Sequence, residues 1–334
     1  MTHLFAHESL PPVEGYDLIG DVHGCAKTLE RLLRKLGYKK IQGVYQHTKR
    51  RVIFLGDIVD RGPYIREALL LVHGMVQKGS AHMVLGNHEY NALTYCKKSK
   101  NHVTQSAEYL RPHTSANAHL IAETLEQYAH HPEEWQEMLQ WFMSVPLFME
   151  FGDEQHKNIF RVVHACWDHH VVAQHKAVFG DGHFDENFLH QSVLNFTAES
   201  NAIQLLTRGV VFPLPEGVKV VTQDGHTRST FRTKFWADKA QTYGDLLFQP
   251  DPIPVEIAAL PISKYHRATM VRYGLDQPPL FVGHYWLKGQ PKPITNNIAC
   301  LDYSAVKYGR LVAYRMDGEQ QLQPEKFVWE YVDP

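Results

Sequence analysis

Five short segments combine potential cation ligands with small residues: GDVHG at 20–24, GDIVDRG at 56–62, GNHE at 86–89, VHAC at 163–166 and GH at 283–284. Carboxylate oxygen, amide oxygen and neutral imidazole nitrogen together suit borderline to hard divalent ions such as Mn, Fe, Zn or Co. The glycines let the chain turn sharply and let a ligand approach the backbone closely. Each segment alone carries little: GNHE is an ordinary turn sequence, and His164 alone reads as a satisfied core histidine. Five of them in order, each directly after an apolar run, point to a divalent-metal site.

The elements that must hold these residues are legible in the hydrophobic pattern. Tyr16–Gly20 reads as a strand ending at Asp21, Val52–Gly56 as one ending at Asp57, and Ala81–Leu85 as one leading to Asn87 and His88. Between them, Leu29, Leu32, Leu33 and Leu36, and then Ala68, Leu71, Val72 and Met75, recur at helical spacing, with Gly37 and Gly79 as stops. Strand–helix–strand alternation predicts βαβ units and a largely parallel sheet, whose chemistry gathers at the carboxyl ends of its strands. Strands are predicted again at Ile159–Val163, Pro279–Val282, Ile298–Leu301 and Arg310–Tyr314. Residues 91–158 read as mainly helical, whereas 168–279 are rich in Pro, Gly and aromatics and resist assignment; Gln249–Pro261 reads as an extended excursion. The expectation is one domain over 1–334 with insertions around 91–158 and 168–279.

The set GDVHG, GDIVDRG, GNHE, a strand-end His and a later GH resembles the calcineurin-like metallophosphoesterases, in particular the phosphoprotein phosphatase and diadenosine tetraphosphatase branch. The likeness is dense over residues 16–90 and then continues only at VVHACW, GHYW and LDYSAVKYGRLVAYR. It implies an α/β fold, an αββα sandwich of two mixed β-sheets flanked by helices, with a dinuclear metal site at strand ends. It also implies that Asp21 and His23 hold one metal, Asp57 bridges both, and Asn87, His164 and His284 hold the second. Where many relatives outside this branch have a further His, this chain has Trp286. Cys25 and Cys166, beside ligand positions, read as buried small residues.

Two cations ~3.5–4 Å apart would share a water, lower its pKa and present a metal-bridging hydroxide in line with phosphorus. They would also neutralise charge gathering on the phosphoryl oxygens. In this scheme His88 is the general acid, Asp60 orients it and favours its protonated form, and Arg61 and Arg208 grip phosphoryl oxygens. The bland alternative for Asp60 and Arg61 is that they pair with each other in the turn.

Composition narrows the class. A formal net charge of −2 over 334 residues gives no general nucleic-acid-binding field. Four dispersed cysteines suit a reducing compartment, and neither an export signal nor an apolar run of membrane-spanning length is evident, so a cytoplasmic location without membrane association is expected. Lys39–Lys40, Lys49–Arg51 and Lys97–Lys100 read as solvated faces, His130, His131, His169 and His170 as surface residues, and Trp135, Trp141 and Phe142 as helix packing.

The substrate stays open at this point. Leu85 stands where serine/threonine phosphatases of the branch carry Arg, and their SAPNY-type segment is not evident, which favours phosphorylated nucleotides and dinucleoside polyphosphates. The alternatives are a protein phosphatase or nucleic-acid-end phosphatase with the same core chemistry, and a catalytically silent metal-binding regulatory module.

Overall fold

The structure is a computed structural model that describes residues 13–99, 108–152, 159–214, 219–221, 227–248, 254–307 and 309–332. The N-terminal residues 1–12, Lys100 and residues 249–253 of the predicted excursion lie outside the described residues.

β-Branched and aromatic residues at alternating positions build two mixed sheets. The first runs in the order Asp302–Tyr303, Arg310–Met316, Gly15–Ile19, Arg50–Phe54, Ala81–Met83, with Phe327–Tyr331 also paired to Arg310–Met316. Gly15–Ile19, Arg50–Phe54 and Ala81–Met83 are parallel, as the βαβ pattern predicts, and Arg310–Met316 is antiparallel to the first of them. The second sheet runs Ile298–Cys300, Leu280–Val282, Phe160–Val163, Phe148–Phe151; its first three strands are parallel and the last is antiparallel.

Side-chain alternation assigns the layers. Leu18, Ile53, Val162, Phe281 and Ala299 belong to one buried cluster drawn from both sheets. Their strand neighbours Ile19, Val52, Phe54, Val163, Leu280 and Val282 belong to a second cluster shared with the helices. A period of two on each strand therefore makes both sheets apolar on both faces, and the result is an αββα sandwich. Ala26–Lys35 and Ile65–Gln77 cover the first sheet, burying the Leu29, Leu32, Leu33 and Ala68, Val72, Met75 faces read from sequence. On the second sheet, Phe148 meets Trp167 and His175, the latter from the helix His169–Phe179.

The segment 91–158 carries the helices Ser115–Tyr128 and Pro132–Phe142, and also the strand Phe148–Phe151. Trp135, Trp141 and Phe142 are core residues there. The unassigned middle folds into helices His169–Phe179, Glu186–Ser192 and Ala198–Arg208, each opened by an Asp168, Asp185 or Thr197 side chain that accepts a backbone N–H. A small antiparallel sheet of Val211–Pro213, Thr230–Thr233 and Leu247–Phe248 follows.

One surface reading is corrected. Lys49 is exposed, but Arg50 and Arg51 are buried in their strand. Arg50 lies 3.0 Å from the buried Asp17, which also accepts from Arg315 and from the Tyr38 hydroxyl. Burial is tolerated because this carboxylate and its hydrogen bonds neutralise the guanidinium.

Candidate metal centre

The carboxyl ends of Gly15–Ile19, Arg50–Phe54, Phe160–Val163 and Leu280–Val282 converge on one edge of the sandwich, and the motif residues sit in the turns that follow them. Backbone bonds lock these turns together: Val22 and His23 N–H both donate to the Asp57 carbonyl, and Gly283 N–H donates to that of His164. His23, Asp57, Asp60, Arg61 and His284 all adopt positive φ, between 42° and 70°. Non-glycine residues held in that region cost conformational energy, and their concentration in one place marks a functional constraint. Two of the motif glycines leave room for the carboxylates: a Cβ on Gly86 would lie 2.2 Å from Asp57 Oδ1, and one on Gly283 would lie 2.1 Å from Asp21 Oδ1.

Asp57 is the hub. Its Oδ2 lies 3.3 Å from His164 Nε2, 3.7 Å from His23 Nε2 and 3.9 Å from His88 Nε2. Asn87 Oδ1 is 3.3 Å from His164 Nε2. The other ring nitrogens are fixed by backbone: His23 Nδ1 is 2.9 Å from the Val59 carbonyl and His164 Nδ1 is 2.6 Å from that of Leu55. Each Nε2 is thereby left to face inward, the arrangement that orients metal-binding imidazoles. Potential ligand atoms within 4.8 Å of one another form two groups that share Asp57: His23, Asp57, His88 and Asp57, His164, His284. Asp21 stands outside both groups, its two oxygens each 3.2 Å from the His284 amide. His88, expected as an acid and not as a ligand, falls within the first group.

The charges fit divalent cations. Among the described residues, buried His284 Nε2 has no hydrogen-bond partner, nor has Oδ2 of Asp302. Burial, and then the neighbouring Asp302, hold the Asp21 carboxyl well above its usual range. Burial alone would raise Asp57 too, but His164, His88 and His23 hold it well below that range. Burial opposes a charge on His164, yet Asp57 and Asp21 push its pKa up to about 10. Buried carboxylates, orphaned imidazole nitrogen and a strained scaffold form a donor set that could hold two cations.

His88 Nδ1 lies 2.6 Å from Asp60 Oδ2. Burial draws the pKa of His88 down to about 4 against the pull of Asp57, with Arg61, His164 and Arg208 acting in the same direction as burial. Burial likewise pushes Asp60 up to about 7. A low-dielectric site penalises either charge alone, so the short contact is best served by one proton shared between the two. Asp60 and Arg61 face different partners, as Arg61 Nη1 lies 3.5 Å from His23 Nε2 and its guanidinium 4.8 Å from the Trp286 ring centroid. Arg208 is 2.5 Å from Asn91 Oδ1, on the helix that begins with Asn87 and His88.

Four contributors escaped the sequence reading. Thr124 hydrogen-bonds Asp60. The Glu89 carboxylate accepts the amides of Gly86, Asp57, Ile58 and Val59 at 2.8–3.2 Å, tying two motifs together. Asp302 follows the strand Ile298–Cys300, and its position just past an apolar strand end was the signal that could have found it. Arg111 lines a cavity of ≈ 300 Å³ with Arg208. Cys25 and Cys166 are buried thiols, and His130, His131, His169 and His170 are exposed. Among the described residues, no helix is long and apolar enough to cross a membrane.

Comparison with known proteins adds a family. The profile of the calcineurin-like phosphoesterases matches residues 17–209. A bis(5'-nucleosyl)-tetraphosphatase PrpE from Oceanobacillus iheyensis is 49% identical over 73 residues, which is 22% of this chain and 29% of that protein. The corresponding Bacillus subtilis protein is 42% identical over 83 residues, or 25% and 34% of the two chains. The chain thus matches about a third or less of the length of these curated relatives. A solved protein serine/threonine phosphatase from Saccharomyces cerevisiae aligns with a TM-score of 0.49 at 15% identity, covering 98% of this chain and 82% of that one.

Proposed function

Because the chain belongs to the calcineurin-like phosphoesterase family, we propose that it hydrolyses phosphate ester or phosphoanhydride bonds with two divalent cations, and that its substrates are dinucleoside polyphosphates or related phosphorylated nucleotides. One observation carries this reading: Asp57 is shared by two groups of potential ligands, so a single carboxylate can span two ions. In this proposal Asp21 and His23 hold one cation, Asn87, His164 and His284 the other, and Asp57 both. When bound, the cations supply Lewis acidity toward the phosphoryl oxygens and activate water.

The chain's own residues do the rest. His88 gives the proton on Nε2, the nitrogen that faces the site, to the leaving oxygen while Nδ1 takes up the proton it shares with Asp60, and Thr124 fixes the carboxylate that orients it. Arg61, held at the site edge by the Trp286 ring, and Arg208, held by Asn91, bind the phosphoryl oxygens through paired N–H donors. Gly86 and Gly283 keep side chains clear of the two carboxylates. The nucleotide preference is supported by the likeness to the tetraphosphatases over the motif-bearing segment. Manganese is the preferred ion, with Fe, Zn and Co compatible with the same N/O donors.

The test uses metal-stripped protein given p-nitrophenyl phosphate, diadenosine tetraphosphate or a phosphoserine peptide, with and without Mn²⁺. Metal-dependent turnover with preference for the dinucleotide is the expected result. Preference for the peptide would make the chain a protein phosphatase, and two bound metals without turnover of any compound would make it a binding module.

A further inference from the structure

Beside the metal centre the surface opens into a cavity of ≈ 480 Å³, within the range of small-molecule sites. Its walls include Trp286, Lys288, Tyr303, Lys307, Arg310 and Tyr331, and no carboxylate is among the described residues that line it. Three cations, Lys288, Lys307 and Arg310, thus share one cavity. The aromatic side chains are held in place or offered to solvent. The Tyr303 hydroxyl accepts the Lys292 amide at 3.2 Å, whereas Tyr331 is 60% exposed and contributes little to the core. Arg310 lies 5.0 Å from the Tyr331 centroid and donates to the Gly289 carbonyl. Lys307 Nζ stands 4.4 Å from the centroid of Trp286, the same ring that Arg61 approaches. Arg61 in turn reaches His23. Aromatic faces and cations therefore continue from the proposed metal ligands into the cavity without a break.

We infer that this cavity is a nucleotide subsite, in which Trp286 and Tyr331 take the base of a nucleoside polyphosphate and Lys288, Lys307 and Arg310 take its phosphates, the chain of phosphates running past Trp286 toward Arg61. Stacking and cation–anion contacts at such a site tolerate any base, so purine and pyrimidine nucleotides both bind. The inference rests on the proposed phosphoesterase activity for its direction but not for its occupancy. The cavity holds one small molecule, and the chain carries no general basic field, which favours a free nucleotide over an RNA strand.

The experiment uses the full chain with Lys307→Glu and Tyr331→Ala, both at exposed positions. A fluorescent ATP analogue is titrated into metal-free protein, and the kcat/KM for diadenosine tetraphosphate is divided by that for p-nitrophenyl phosphate in the Mn²⁺ form. Each variant is expected to weaken the nucleotide by about tenfold and to lower the ratio by a similar factor. Failure of the wild-type protein to bind the analogue, or wild-type affinity and ratio in both variants, would overturn the subsite. Tighter binding of a short oligoribonucleotide than of the analogue, through the same two residues, would overturn it in favour of RNA. Analogue binding that depends on Lys307 and Tyr331, in a protein that hydrolyses neither compound, would uphold the subsite and overturn the phosphoesterase reading alone.

Discussion

Thr124 holds Asp60 from two directions across 64 residues of sequence: its hydroxyl donates to the Asp60 carboxylate and accepts the Asp60 amide at 3.0 Å. Both residues are buried, and Asp60 sits at φ 68°. From the same helix, Gln127 accepts the Ile65 amide and donates to the Gly62 carbonyl, so Ser115–Tyr128 clamps the whole GDIVDRG turn. The helical segment after the motifs is thus part of what aims His88.

Removing the hydroxyl should misalign that dyad without touching a metal ligand. Thr124→Val is expected to lower kcat about tenfold with unchanged metal content, and Thr124→Ser to restore most of it. His88→Asn is expected to lower kcat by ~10²–10⁴-fold. Metal analysis and steady-state kinetics on the three variants check this, and wild-type kcat in His88→Asn would remove that residue from the chemistry.

Metal loading should release protons. His164 Nε2 faces Asp57 at 3.3 Å, and the pKa of His164 is pushed up to about 10 from its ordinary 6.5. In the metal-free protein this ion pair contributes stability that is fully present below 6.5 and is lost as pH rises through about 10. A cation on Nε2 displaces the proton, so apparent Mn²⁺ affinity should rise roughly tenfold per pH unit for each proton released, at pH values below the folded pKa of about 10. Calorimetry at pH 7.5 in buffers of different ionisation enthalpy measures the number, expected to be at least one. Asp57→Asn should abolish both this uptake and the activity, and full metal occupancy in that variant would sink the shared-carboxylate arrangement.

Phe281 tests the sandwich itself. It is fully buried, and its ring lies 5.9 Å from that of Phe160 and 5.1 Å from that of Tyr314, one in each sheet. Phe281→Ala should leave a cavity between the sheets and cost about 3–5 kcal/mol, read as a lower denaturant midpoint at unchanged slope. A loss below about 1 kcal/mol would mean that the sheets do not depend on this contact.

Why some of this was readable and some was not follows from sequence distance. Asp21, Asp57, His164 and His284 each stand one to three residues beyond a short strand, and the strand pattern itself aims them at one edge. Leu18 and Ile19 show the same economy, since adjacent positions serve opposite faces. Thr124 had no such signal, because a threonine in the third turn of a helix looks the same whether or not it meets a carboxylate 64 residues away. Glu89 closes the GNHE motif without a role of its own in the sequence, while its carboxylate serves the Asp57 turn. The strand Phe148–Phe151 was hidden by the helical, aromatic run before it, and its pairing to Phe160–Val163 is tertiary information. The middle helices did carry Asp168, Asp185 and Thr197 as start signals, but their aromatic content blurred the helical period.

Arg111 makes the last prediction, because its environment is unfavourable without an anion. It lines the ≈ 300 Å³ cavity beside Arg208, and among the described residues no carboxylate lines that cavity. Burial and then the charge of Arg208 lower the pKa of Arg111, and burial lowers that of Arg208. Two guanidinium groups desolvated together cost stability until a negative group enters between them. Leu85 occupies the position where serine/threonine phosphatases of the branch carry a phosphate-binding Arg, so a second guanidinium from position 111 would serve in its place. Arg111→Met keeps the bulk and removes the charge. It should raise the inhibition constant of inorganic phosphate about tenfold and diminish the rise in Tm that phosphate gives, while the Tm without phosphate holds steady or increases. An unchanged inhibition constant, or a fall in Tm without phosphate, would show Arg111 to be a structural cation and leave Arg208 and Arg61 to bind the phosphoryl group.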